Sequence, residues 1–162
     1  MEAVLSDCRN YRYSLSREVD NSASRTFAFF GINPSTADES VDDATVRKWI
    51  GFAKRNNCKK FIVGNVFAYR ATNVNDLAKA ANPHGADNDA FIDLIIDKSD
   101  VLIPCWGSRG KLPKNLRYAL DDLLIKLKSS GKPVLIFGKT KSGDPKHPLM
   151  LGYNTNLQEL GV

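Results

Sequence analysis

The residues of this chain that could do chemistry stand where its apolar runs stop. Phe29-Phe30-Gly31-Ile32 hands over to Asn33-Pro34-Ser35, and Phe61-Ile62-Val63-Gly64 ends in Asn65, with Phe67, Tyr69 and Arg70 close behind. Val101 to Cys105 runs into Trp106-Gly107-Ser108, and Val134 to Gly138 is followed by a polar loop, Lys139 to His147, that closes on His147-Pro148-Leu149. Proline fixes its own φ and biases the residue before it toward an extended or turn conformation, so the Asn33 amide should project from the carboxyl end of its strand. In open α/β sheets that is where ligands bind. Gathered along one rim, Asn33, Ser35, Asn65, Arg70, Trp106, Ser108 and His147 would form a concave site with few but convergent polar groups. Singly, each has a plainer reading: a turn dipeptide at Asn33-Pro34, a strand-end cap at Asn65, core filling at Trp106 and a backbone-bonded loop histidine at His147.

The elements that must position these groups can be read in order. Tyr11 to Val19 alternates loosely and predicts an edge strand before the polar turn Asp20 to Ser24. Arg25 to Ile32 is apolar enough for a strand buried on both faces, as parallel sheets require. An acidic loop, Thr36 to Asp43, leads into a helix over Ala44 to Asn56, with Val46, Trp49, Ile50 and Ala53 at helical spacing. Its carboxylates Asp38, Glu39, Asp42 and Asp43 read as helix capping rather than metal ligands. Lys60 to Phe67 is a second core strand. A helix pair follows over Asn75 to Ala81 and Asp87 to Lys98, the latter with Ala90, Phe91, Leu94 and Ile95 as its inward stripe. Val101 to Gly107 is a third strand and Pro113 to Ser130 a helix with leucines at i, i+3, i+4 spacing and Gly131 as its stop. Val134 to Gly138 is a fourth strand. The fold class expected is α/β: a three-layer α/β/α domain over 1–162 around a mainly parallel four-stranded sheet.

Composition narrows the classes. With 162 residues, 43% hydrophobic and 25% charged, the chain reads as one ordinary globular domain without an apolar run of membrane length. Met1 to Asp7 has neither a basic start nor a long apolar segment, so a cytoplasmic location is expected. Cys8, Cys58 and Cys105 are isolated and odd in number, against a disulfide framework or a zinc site, and no metal or cofactor is expected. The net charge of +5, concentrated in Lys54 to Lys60 and Arg109 to Lys146, suits a polyanion such as nucleic acid, and equally suits simple solubility.

Gly31-Ile32-Asn33-Pro34-Ser35 and His147-Pro148-Leu149 resemble the two signature motifs of the uracil-DNA glycosylase superfamily, the first being similar to the Gly-Ile-Asn-Pro-Gly motif of its mismatch-specific members. Phe61 to Val66 looks like the strand whose terminal asparagine reads the base, and Val101 to Gly107 like the apolar strand ending in Trp-Gly. The strings Asn33-Pro34-Ser35-Thr36-Ala37-Asp38, Asn65-Val66-Phe67-Ala68-Tyr69-Arg70-Ala71-Thr72 and His147-Pro148-Leu149 also resemble a bacterial and phage family of uncharacterised domains, here the nearer match.

The glycosylase resemblance implies a monomeric DNA glycosylase-like hydrolase, in repair or phage defence, that removes a damaged, mismatched or modified base flipped out of DNA. Asn33 would hold the attacking water, Asn65 would read the base edge, and His147 would stabilise the leaving base or a phosphate. Phe67, Tyr69 or Trp106 would stack on the base, and Leu149 to Leu151 would wedge into the duplex. Ser35, Arg70, Ser108, Arg109, Lys139, Lys141 and Pro148 would line the DNA path. Asparagine cannot be a general base, so a carboxylate, Asp38 first and Asp42 or Asp43 otherwise, must activate the water. Ser35 in place of the second glycine, and Leu149 in place of serine, depart from the motifs and bear on which base is accepted. Two other readings stay open: a non-catalytic nucleotide-binding module, and an enzyme acting on free nucleosides or nucleotides.

Overall fold

A computed structural model describes residues 1–161. Its strands are β1 Glu2–Leu5, β2 Arg12–Glu18, β3 Arg25–Gly31, β4 Cys58–Asn65 and β5 Val101–Pro104, joined in one mixed sheet of order β1-β2-β4-β3-β5. The hairpin β1/β2 and the pair β2/β4 are antiparallel, while β3 runs parallel to β4 and to β5.

Strand β3 is the middle of a parallel trio, and every side chain from Thr26 to Phe30 is buried. Successive residues point to opposite faces. Phe27 and Phe29 therefore join Val46, Trp49 and Phe52 of helix α1, Ala44–Arg55, whereas Ala28 and Phe30 join Ile92 and Ile95 of α2, Asn88–Lys98, and Leu120, Leu123 and Leu127 of α3, Tyr118–Ser129. Helices thus cover both faces. Phe29 and Trp49 stack with ring centroids 5.6 Å apart, fixing α1 against the sheet. Asp43 caps α1 by accepting from the Val46 N–H at 2.9 Å, and Lys54 and Arg55 complement the dipole at its other end.

The sheet differs from the expected four parallel strands in two ways. Arg12–Glu18 is not an edge: the short strand β1, bulged between Val4 and Leu5, pairs outside it. The segment expected as the fourth core strand contributes only β6, Leu135–Ile136, which pairs antiparallel with β7, Gln158–Glu159. It meets β5 at a single parallel bridge, Leu102 to Val134. Pro133 has no N–H to offer a ladder, and only its carbonyl is used, by the Leu102 N–H at 2.9 Å.

The helices differ in detail. Val74–Lys79 and Lys114–Leu116 are 3-10 turns rather than α-helix. In α2 the inward residues are Asn88, Ile92 and Ile95, and Leu94 is exposed. No helix of the described residues is long and apolar enough to cross a membrane. Cys58 and Cys105 are buried and Cys8 is exposed, all three as free thiols.

Candidate functional site

The carboxyl ends of β3, β4 and β5 surround a cavity of about 160 Å³. Asn33, Ser35, Asn65, Trp106 and His147 all line it, arriving from four separate segments of the chain. Strand register brings the first three together: Gly31 lies opposite Asn65 in the β3/β4 ladder, and the N–H groups of Val66 and Phe67 continue it by donating to the carbonyls of Gly31 and Ile32. A Cβ on Gly31 would stand 2.9 Å from Asn65 Oδ1, so glycine is what allows that amide to sit beside the turn. Gly107, at φ +83°, plays the same part on the other side, where a Cβ would come within 3.3 Å of the His147 Cβ. Its N–H donates to the Pro145 carbonyl at 2.8 Å and draws the His147 loop over the cavity.

Hydrogen bonding fixes which atom each group can present. Asn33 Nδ2 donates to the carbonyls of Ala71 at 2.8 Å and Pro34 at 3.0 Å, which sets the amide orientation and leaves Oδ1 as the free acceptor. Asn65 is 2% exposed, and its Nδ2 is buried with no partner among the described residues; the indole Nε1 of Trp106 is in the same condition. The Leu149 N–H donates to His147 Nδ1 at 3.1 Å, so in the neutral ring the proton is on Nε2. Burial, reinforced by the Lys111 cation and opposed by Asp43, lowers the His147 pKa to about 4. The ring is a neutral donor at physiological pH.

Three charged residues share the wall, Arg12, Asp43 and Lys111, together with Thr45. Arg12 is only 3% exposed, its Nη1 donates to the Ala37 carbonyl at 2.9 Å, and its Nε is buried without a partner among the described residues. It enters none of the ion pairs among those residues. Burial pulls its pKa down to about 10, a shift that the field of Asp43 opposes. Asp43 uses Oδ1 for its helix cap and reaches the cavity from the start of α1.

The other residues singled out in the sequence lie elsewhere. Asp38 does not line the cavity: its Oδ1 is engaged by the N–H groups of Ser40 and Val41, and its Oδ2 lies 3.7 Å from Arg9. Asp42 is paired with the buried Arg17. Phe67 is core, 1% exposed. Tyr69 packs edge-on to Tyr11, and Arg70 donates to the carbonyls of Ser35 and Arg9 beside the cavity. Ser108 caps a short turn, and Arg109 is held between Asp121 and the buried Asp144. Lys139 and Lys141 are exposed on the loop before His147, and Pro148 is buried. Leu149 and Met150 are exposed, whereas Leu151 packs on the α1 core.

A larger cavity of about 270 Å³ lies on the other side of Asn65, between α2 and α3, beside the pair His84 and Asp89, 2.7 Å apart. Of the other motif residues it holds only Val66. Of four buried side-chain polar atoms without a partner among the described residues, three belong to residues of the smaller cavity, Arg12 Nε, Asn65 Nδ2 and Trp106 Nε1, and two to residues of the larger one, Asn65 Nδ2 and Asn88 Oδ1. Buried donors are ordinarily bonded, so this concentration makes the smaller cavity the candidate site.

Fold and cavity together define an α/β protein with a cavity at the carboxyl ends of its parallel strands. The chain belongs to the DUF1643 family, described as a protein of unknown function, whose model matches residues 12–149. That span begins at Arg12 and includes every residue of the cavity wall. Comparison with curated proteins and with solved structures finds no match.

Proposed function

We propose that this chain is a DNA glycosylase-like hydrolase, which cleaves the N-glycosidic bond of a damaged, mismatched or modified base flipped out of DNA. The observation that carries the reading is that Asn33, Asn65 and His147, remote in sequence, line one cavity of about 160 Å³. A cavity of roughly 150 Å³ takes one benzene ring, so the space suits a single heterocycle.

The reaction builds positive charge on the sugar and negative charge on the departing base, and an enzyme gains rate by meeting those charges as they form. Asn33 Oδ1 accepts from the attacking water, and the Asp43 carboxylate takes its proton, the role Asn33 cannot fill. The water oxygen bonds to the anomeric carbon as the carbon–nitrogen bond breaks and its electron pair leaves with the base. Asn65 Nδ2 donates to the base edge, and the neutral His147 Nε2–H donates to the base oxygen on which charge collects. The exposed Leu149 and Met150, 39% and 90% accessible, stand next to His147 as the wedge that replaces the flipped base in the stack.

The test is a panel of oligonucleotides carrying different modified bases, incubated with the full chain and scored for alkali-labile abasic sites. At least one base should be released, with rates at least ~100-fold lower in Asn33→Ala and His147→Ala of unchanged fold. Intact oligonucleotides throughout the panel, or wild-type rates in both variants, would refute the proposal. The second reading, an enzyme acting on free nucleotides, draws on the buried Arg12 and on Lys111 in the same wall, which suit a phosphate. Turnover of mononucleotides without salt-dependent DNA affinity would select it, because binding to a duplex through lysines and arginines must weaken as salt rises.

A further inference from the structure

The cavity wall is unusual in what it lacks. The three buried unpartnered atoms there are all hydrogen-bond donors: a guanidinium Nε, an amide Nδ2 and an indole Nε1. To these the neutral His147 adds its Nε2–H. One of the donors carries a full charge on a side chain 3% exposed. An isolated buried cation costs several kcal/mol unless a counter-charge meets it. Within the protein the offset is partial: Asp43 and, more weakly, Asp38 act on Arg12 through their fields without forming an ion pair, while the nearby cations of Arg70 and Arg17 oppose them. A helix cap or a core contact would not need a charged donor there. A ligand rich in acceptors and bearing negative charge would match the donors and the two cations of this wall, Arg12 and Lys111, with Asp43 the one carboxylate against it.

We propose that Arg12 is the charge partner of the ligand, and that the cavity binds a single, acceptor-rich heterocyclic ring in its anionic form. The inference rests on the hydrolase reading above, in which the departing base carries away the electron pair of the broken bond. It adds a catalytic residue to that reading: the Arg12 guanidinium meets the charge on the leaving ring, while the donors of Asn65, Trp106 and His147 meet its carbonyl oxygens. A phosphate alone would engage the guanidinium, but it has no ring to fill the space between the amide and the indole.

The inference is tested by calorimetry on the full chain at pH 7 with three probes: barbiturate, an anionic ring with three carbonyl oxygens; uracil, a neutral ring of similar size; and inorganic phosphate. Barbiturate should bind at least ~10-fold tighter than uracil and displace phosphate. Arg12→Met should erase that preference, and Arg12→Lys should retain part of it. Arg12→Met also removes the bond from Nη1 to the Ala37 carbonyl, so circular dichroism establishes that the variant is folded before its affinities are read. Equal affinity for the two rings in the wild type, tighter binding of phosphate than of barbiturate, or an undiminished preference in Arg12→Met would each overturn the assignment. The wild-type comparison stands by itself if Arg12→Met does not fold. A chain that releases bases yet shows no preference for barbiturate loses this inference and keeps the hydrolase; one that prefers barbiturate and leaves every oligonucleotide intact does the reverse.

Discussion

His147 gives the site a measurable pH signature that does not depend on knowing the substrate. In the folded protein its pKa is lowered from 6.5 to about 4, first by burial and then by Lys111. The unfolded chain therefore binds a proton as pH falls through 6.5, whereas the folded chain does not until pH approaches 4. Stability must then decline as pH falls across that window, because the unfolded state holds more protons there. Each pH unit of separation is worth about 1.4 kcal/mol, which gives roughly 3 kcal/mol over the whole gap. His147 is not wholly enclosed, and water reaching the ring reduces the expected loss to about 2 kcal/mol. Urea unfolding at pH 7.0 and 4.5 measures it, with His147→Gln as the reference that cannot titrate. Other groups contribute to both proteins alike, so the difference between the two isolates His147. Parallel behaviour of wild type and variant, or a wild type that gains stability relative to the variant on acidification, would show that the ring is not held neutral and would remove the argument for it as a neutral donor.

Three other substitutions separate site from scaffold. Asp43→Asn keeps the capping hydrogen bond, since asparagine caps as well as aspartate, but removes the charge at the helix start and beside Arg12, so stability should fall by about 1 kcal/mol while base release slows by ~10²- to 10⁴-fold; Asp38→Asn should leave the rate unaltered, and the opposite pattern would move the water-activating role back to Asp38. Arg109→Ala strips the charged partner from Asp144, which is 3% exposed, and should cost about 3 kcal/mol in urea unfolding without changing the salt dependence of DNA binding, because its guanidinium is already taken up by Asp144 and Asp121.

The parts of this structure that the sequence announces are those where local chemistry and burial agree. The aromatic run of β3, the end of β4 at Asn65 and the capped start of α1 at Asp43 could each be read from adjacent residues. The turn at Asn33 could be read for the same reason, since Pro34 constrains the residue before it. What could not be read depends on partners far along the chain. Leu94 is as apolar as Ile92, and α2 carries apolar residues over so much of its circumference that packing against the sheet and α3 chooses the buried arc. Asn88 faces inward because its Nδ2 donates to the carbonyls of Asn65 at 2.9 Å and Val66 at 3.2 Å, which no spacing rule foretells. Arg12 looks like an ordinary polar position between two tyrosines, and only the crossing of the Ala37 loop over β2 encloses it. Asp38 fails as a cavity carboxylate because the Ser40 and Val41 N–H groups lie closer to hand, a local competition that aspartate commonly loses to its own backbone.

The parallel pairing of β3 with both β4 and β5 sets the order in which the cavity can come into being. Strand β3 and helix α1 can associate with β4 as soon as those neighbours in the chain are available, but the flank formed by β5 waits about seventy residues, and the His147 loop waits longer still. During synthesis the walls of the cavity therefore emerge in the order β3, β4, β5 and the His147 loop, and a chain that stops before His147 lacks one of the four.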